Sequence, residues 1–197
     1  GDCSAQHLAQ FAIMGNEYGK HLFGKPNPRI GLLSIGEEDG KGNEVTKEAF
    51  KLLKASQLNF IGNVEGRDVY RGSAHVVLCD GFIGNVALKI SEGVADTIKK
   101  LLVKEISGSF LGRLAYPFIA GPLQNLKKKI DYAEFGGAPL LGVNGITMIC
   151  HGRSSPKAIK NAIRRAKGLA ESRVDELIQR DIEESFSQAK STEDKPA

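Results

Sequence analysis

The chain has 197 residues, 41% of them hydrophobic and 25% charged, with a net charge of +4. That balance suits a globular chain with one sizeable core or two small ones. Three scattered cysteines, Cys3, Cys79 and Cys150, argue against a disulfide framework and for a reducing cytoplasm, and the absence of CxxC or HxxxH spacing argues against a zinc site or other metal. No RNP-like, zinc-finger or helix-turn-helix pattern is present, so nucleic acid is not an expected partner. No leader pattern or membrane-length apolar run is visible, and the start at Gly1-Asp2-Cys3 fits a processed chain or a piece of a longer one.

The charge is uneven. Lys99 to Lys129 holds seven Lys/Arg against one acid, as does His151 to Arg173, while the sequence from Val174 onwards is net acidic. Basic stretches of this kind suit phosphates, acidic proteins or a membrane surface, or simply form solvated helix faces.

Ser4 to Phe23 reads as a helix with Leu8, Phe11, Ala12, Gly15, Tyr18 and Leu22 on one face, stopped by Gly24. Arg29 to Ser34 reads as a buried strand. The segment Gly36-Glu37-Glu38-Asp39-Gly40-Lys41-Gly42-Asn43 is too polar for a core and is expected as a loop. Its glycines and Lys41 invite comparison with a P-loop, but the spacing is one residue short and Gly42 stands where Ser or Thr belongs. Lys41 and Asn43 remain candidates for anion contact.

Val45 to Ser56 reads as a helix with Val45, Ala49, Leu52 and Leu53 inward. Leu58 to Ile61 reads as a strand, followed by a polar end carrying Asn63 and Glu65.

The stretch from His75 to Lys89 is the most informative. A β-rich run ends at Cys79-Asp80-Gly81 and a long helical pattern follows, expected from about Asn85 to Glu105 with Val86, Ile90, Val94, Ile98, Leu101 and Leu102 on one side. Open α/β sheets place ligands at such strand ends, which makes Asp80, Gly81, Asn85 and Lys89 candidates. Asn85 either caps the helix or turns to the crevice.

Ile106 to Lys129 mixes Phe110, Leu114 and Phe118 with Lys127 and Lys128. Pro117 and Pro122 are expected to break any continuous helix. The segment suits a protruding amphipathic membrane contact, an oligomer interface or a buried hairpin. A short strand from Pro139 and an Asn144-Gly145 turn point to a hairpin, hence a mixed sheet.

Ile146 to Cys150 repeats the strand-end pattern, now with His151, Gly152, Arg153, Ser154 and Ser155. Ser155 is expected as N-cap and Pro156 as first helical residue, leaving free N–H groups for an anion. The final helix is expected to run from Pro156 to Phe186, with Ile159, Ala162, Ile163, Ala166, Ala170, Val174 and Leu177 as its apolar face. Residues 1–186 then form a single α/β domain, or part of a longer enzyme, and residues 187–197 a disordered tail.

Together IGEEDGKGNE, NFIGNVEGRD, CDGFIGNVALK, GGAPLLGVNG and CHGRSS, in this order, resemble the bacterial phosphate acyltransferases of phospholipid synthesis. The resemblance covers the first residues to about Ala170 and only the C-terminal part of the family's length. It implies a three-layer α/β/α fold with a mainly parallel, mixed sheet, like phosphate acetyltransferase and isocitrate dehydrogenase. It implies acyl transfer from acyl carrier protein to inorganic phosphate, with no cofactor. It also implies a homodimer in the cytoplasm, attached peripherally to the inner face of the membrane, where acyl phosphate passes to a glycerol-3-phosphate acyltransferase. Phosphate is its own nucleophile, so no acyl-enzyme is required. Asp80, Asn85, Lys89 and His151 are then the catalytic candidates, with Asp80 or His151 orienting phosphate or handling the thiol proton. Lys41, Asn43, Asn63, Glu65, Gly81 and Gly152 to Ser155 are the substrate-binding candidates, and Lys160, Arg164 and Arg165 offer a basic face to an acidic carrier protein. The rival readings are another enzyme of the same fold, such as a phosphate acetyltransferase or a dehydrogenase of phosphorylated substrates, and a non-catalytic membrane-docking or dimerisation fragment.

Overall fold

The computed structural model describes residues 3–130 and 136–193, the side chains of 113, 115, 123–130 and 186–193 apart. The stretch from Asp131 to Phe135 and the side chains of Lys127 and Lys128 therefore lie outside the described residues. The chain divides into two units, one made of Gly1–Gly81, Leu140–Thr147 and Ala166–Ala197, the other of Phe82–Pro139 and Met148–Arg165.

The first unit begins with helix α1 (Ala5–Phe23). Ser4 caps it: the Ser4 hydroxyl accepts from the His7 N–H at 3.2 Å, and the His7 Nδ1 accepts from the Ser4 N–H at 3.1 Å. Gly24, in the left-handed region at φ 60°, ends it. Leu8 and Ala12 are buried as their spacing predicts, whereas Phe11 and Leu22 face outward.

Strands β1 (Ile30–Leu33), β2 (Phe60–Val64) and β3 (Val76–Leu78) form a parallel sheet in the order β2-β1-β3. Helix α2 (Glu44–Ala55) links β1 to β2, and the short helix α3 (Asp68–Arg71) precedes β3. Helix α1 packs on α2 and β3, and α2 packs on β2. Leu8, Ile30, Leu32 and Leu53 are fully buried in this core, each contributing about 1.5–3 kcal/mol through removal from water. At the start of β3, the Arg29 N–H donates to Nδ1 of His75 at 2.9 Å and the Lys25 ammonium lies 3.0 Å from Nε2. Desolvation, then Arg29 and Lys25, hold that imidazole below its ordinary titration range.

Two expectations change here. The second strand runs on to Val64, so Gly62 and Asn63 lie inside it rather than in a loop. Leu32 pairs with Asn63 and Leu33 with Val64 after a register shift, and partner-strand pairing overrides the turn preference of a Gly-Asn pair. In α2, Phe50 is buried and Leu52 is exposed.

In the second unit, α4 (Gly81–Gly108) begins four residues earlier than expected, so Asn85 lies within the helix and does not cap it. None of its residues is buried. Helix α5 (Phe110–Ile130) runs unbroken through Pro117 and Pro122. Each proline removes one intrahelical bond, at about 3 kcal/mol, but the run is otherwise rich in Leu and Lys, which favour helix. Strands β4 (Ala138–Leu140) and β5 (Thr147–Ile149) pair in a separate two-stranded sheet, so the hairpin does not turn the main sheet mixed. The β5 strand, expected to be buried, leaves Ile149 exposed.

The final helical pattern is two helices, α6 (Pro156–Glu171) and α7 (Val174–Glu193). The Ser172 hydroxyl donates back to the carbonyls of Gly168 and Leu169, and Arg173 takes φ 53°. A serine back-bond followed by a left-handed residue ends a helix without Gly or Pro, which is why composition did not reveal it. The inward positions are Ala158, Ala162 and Leu169, then Val174 and Ile178; Ile159 and Ile163 point outward. The α7 helix continues to Glu193, past the point where composition suggests disorder. The class is α/β with a parallel sheet, as expected for a three-layer α/β/α fold.

Candidate functional site

In the first unit, the carboxyl ends of β1, β2 and β3 bring Ser34, Asn63, Glu65 and Asp80 to one edge of the sheet. The chain moves from β1 to β2 on one side and then crosses to β3 on the other. The end of β1 beside β3, where Asp80 stands, is therefore the topological switch point at which open α/β sheets bind ligands. Cys79 stands beside it, its thiol pushed up by burial and then by the Asp80 charge.

The loop after β1 is latched on three sides. Arg67 binds Glu37 at 3.0 Å and Glu65 at 3.1 Å. Lys54 binds Asp39 at 2.7 Å, and Nδ2 of Asn63 donates to the Glu38 carbonyl at 2.8 Å. Glu37 and then Glu65 raise the Arg67 guanidinium further. Asn43 proves to be the N-cap of α2: its Oδ1 accepts from the Thr46 N–H at 2.9 Å, so that oxygen serves the helix. Lys41 is exposed, its stem lying over Gly36. Two polar atoms beneath the loop, Oγ of Ser34 and Oδ1 of Asn63, are buried with no hydrogen-bond partner. Ser34 and Arg67 were not singled out from sequence. A serine directly after a parallel strand was the available signal for the first.

In the second unit, Asn85 and Lys89 lie in the early turns of α4. Lys89 pairs with Glu92 at 2.9 Å and so leans along the helix rather than toward Asn85. The turn before α6 holds the other group. Ser155 caps α6, its hydroxyl accepting from the Ala158 N–H at 3.2 Å. Nδ1 of His151 accepts from the Arg153 N–H at 3.1 Å, and the His151 carbonyl from the Ser154 N–H at 2.9 Å. The expected crown of free N–H groups is thus partly spent inside the turn.

Oγ of Ser154 is buried and has no partner. Arg153 and Lys160 have no salt-bridge partner among the described residues, and the first turn of α6 holds no acid. Side-chain donors and the positive end of the helix therefore make this turn attractive to an anion.

The two strand ends differ in electrostatics. At the first, carboxylates are already matched to Arg67 and Lys54. At the second, Arg153 and Lys160 have no salt-bridge partner among the described residues. Among the described residues no cluster of three or more His, Cys, Asp or Glu is placed to hold a metal ion.

Comparison with known proteins adds family to geometry. Residues 1–177 match the family model described as fatty acid synthesis protein. The chain is 54% identical over 185 residues to the "Phosphate acyltransferase" of Trichlorobacter lovleyi, covering 94% of this chain and 54% of that protein. It is 55% identical over 173 residues to the protein of the same name from Thermodesulfovibrio yellowstonii, covering 88% and 50%. With that of Citrifermentans bemidjiense the identity is 52% over 197 residues, covering 100% and 56%. The chain spans about half the length of these curated relatives. With a family model matched over residues 1–177, the chain belongs to the fatty acid synthesis protein family.

Proposed function

We propose that the chain carries part of the active centre of a phosphate acyltransferase, which moves a fatty acyl group from acyl carrier protein to inorganic phosphate. The observation that carries this reading is the similarity, over almost the whole chain, to relatives named for that activity. In the reaction a phosphate oxygen attacks the thioester carbonyl, the C–O bond forms, the C–S bond breaks, and the thiolate takes a proton. The protein's task is to align the two reactants and to stabilise the oxyanion.

The unmatched Arg153 and Lys160 with the Ser154 hydroxyl support a phosphate seat at the turn before α6. His151 is assigned the orientation of phosphate or the proton of the departing thiol. Asn85 and Lys89 are assigned as oxyanion donors. Asp80, at the switch point, is assigned the thiol proton or the orientation of phosphate. Lys41, Asn63, Glu65 and Gly81 are assigned to the thioester donor. The basic face of Lys160, Arg164 and Arg165 suits an acidic carrier protein. That the chain spans half of its relatives favours a second reading, a docking or dimerisation fragment that acts only within a longer protein.

Phosphate-dependent loss of acyl-carrier thioester separates these, measured with this chain and with a full-length protein containing it. The expected result is turnover in the full-length protein that falls about tenfold between low and 0.3 M salt, through screening of the carrier contact. Turnover by neither protein overturns the acyltransferase reading, and salt-independent kinetics remove the basic docking face.

Membrane contact belongs to the same proposal. Phe110, Leu111, Leu114 and Phe118 on α5 are largely exposed, Phe118 at 85%, and no helix among the described residues is long and apolar enough to cross a membrane. Such a helix lies in the interface of the inner leaflet on the cytoplasmic side, where product passes to a glycerol-3-phosphate acyltransferase. Leu114→Asp with Phe118→Asp is expected to cut flotation with anionic vesicles by about fivefold or more; undiminished flotation removes the contact. The exposed stripe of Val86, Ile90, Val94, Ile98 and Leu101 on α4 supports a second copy as partner, which sedimentation velocity reads directly.

A further inference from the structure

Beside the turn that holds Ser154, an open groove of about 500 Å³ runs along α6, lined by Ser154, Pro156, Ile159, Lys160 and Ile163. Its composition is unusual for a helix surface. The α6 helix turns Ala158 and Ala162 inward and leaves Ile159 41% and Ile163 66% exposed. A helix ordinarily buries its large apolar residues and shows its small ones, because burial of the larger side chain removes more apolar surface from water. Here the small residues face inward because the backbone at Gly136 lies directly on Ala158 and Ala162.

Pro156, Ile159, Lys160 and Ile163 fall at i, i+3, i+4 and i+7, which is one stripe along the helix. The stripe starts at the buried, unpartnered Ser154 hydroxyl and carries one cation, Lys160. Its seven-residue span rises about 10 Å, close to the length of an extended chain of about eight carbons.

We infer that this groove takes the alkyl chain of a ligand whose phosphate head sits at Ser154, Arg153 and Lys160, with Ile159 and Ile163 as the wall that reads chain length. The inference rests on the anion-seat reading of the same turn and adds what lies next to it. One end is polar and cationic, the other apolar and open, and an amphiphile with an anionic head and an alkyl tail matches both ends. Inorganic phosphate fills only the first end. The groove is open to solvent, so each methylene gains less there than in a closed cavity.

The test is titration calorimetry of this chain with inorganic phosphate, butyl phosphate and octyl phosphate, the last below its micelle-forming concentration. Octyl phosphate is expected to bind about tenfold more tightly than butyl phosphate, because four further methylenes leave water in part. Ile159→Ser with Ile163→Ser is expected to bring the two to within about threefold while leaving inorganic phosphate, which fills only the polar end, bound as before. Both side chains are exposed, so the pair should leave the thermal midpoint in place, which a melting curve checks. Equal binding of butyl and octyl phosphate by the unsubstituted chain overturns the groove and leaves the anion seat standing. An octyl advantage that survives the double substitution also overturns it, since another surface then holds the tail. Failure of all three phosphates to bind removes the anion seat and this inference together.

Discussion

Gly136→Ala is expected to lower the thermal midpoint by about 6–12 °C, from a loss of about 3 kcal/mol. Two independent costs add. Gly136 has φ 82°, a conformation that an L-residue adopts at about 1–2 kcal/mol. A Cβ there would also stand 2.7 Å from the Ala158 carbonyl oxygen and 2.8 Å from the Asn161 carbonyl carbon. Those are helix backbone atoms, which cannot rotate away as a side chain does. Relief requires the segment before β4 to lift from α6, and that exposes Ala158 and Ala162. Gly66→Ala is the matched control, since a Cβ there meets nothing within 4 Å and its φ is not in the left-handed region. It should shift the midpoint by about 2 °C or less. Circular dichroism melts of both variants decide the matter: equal melting of Gly136→Ala and Gly66→Ala would remove the close approach. Because this approach fixes where the first turns of α6 lie, Gly136→Ala should weaken phosphate binding at Ser154 as well.

Features carried by adjacent residues were legible in the chain. Ser4 and Gly24 bracket α1 because caps are local chemistry, and the Leu8–Ala12 spacing points the helix at its core. The strand end at Asp80 announced itself by a switch from apolar to polar composition. Features decided by distant partners were not legible. Gly62-Asn63 looks like a turn until β1 pairs with it. The α6–α7 break depends on which way the Ser172 hydroxyl turns. The outward set of Ile159 and Ile163 follows from Gly136 arriving against α6 from about twenty positions upstream.

The same division holds for the site. Residue types at the turn before α6 suggested an anion, and unmatched cations beside the Ser154 hydroxyl agree with that. The expectation that backbone N–H groups would do the binding was too generous, because His151 takes those of Arg153 and Ser154. At the loop after β1, Lys41 and Asn43 stood as candidates for anion contact although the P-loop spacing failed. Asn43 spends its carbonyl on α2, and the acids of the loop are latched by Arg67 and Lys54. A dianion brought there would compete with carboxylates already in place, whereas at Arg153 and Lys160 it meets unpaired charge. An anion therefore suits the turn before α6, and Asn63 Oδ1 by itself offers an acceptor at the end of β2.

That acceptor makes Asn63 a sensitive position in the first unit. It is 6% exposed, its Nδ2 donates to the Glu38 carbonyl, and its Oδ1 has no donor. Asn63→Asp keeps the shape and inverts the chemistry. The donor to Glu38 is lost, and a carboxylate is buried facing a carbonyl oxygen. Desolvation then favours the protonated form, at a cost of about 3–4 kcal/mol near neutral pH. The carboxyl titrates higher in the folded state than in the unfolded state, where it titrates near about 3.9. Below that pH both states are protonated and the penalty is absent. As pH rises the unfolded chain loses its proton first, so stability falls until the folded carboxyl ionises too. Asn63→Asp should therefore melt close to Asn63→Leu at pH 4 and about 6–12 °C below it at pH 7. Asn63→Leu loses only the bond to Glu38, about 1 kcal/mol, and removes the unpartnered oxygen with it. A midpoint difference between the two variants that does not change from pH 4 to pH 7 would mean the side chain reaches water. The loop after β1 would then not be the closed cover that its three latches make it.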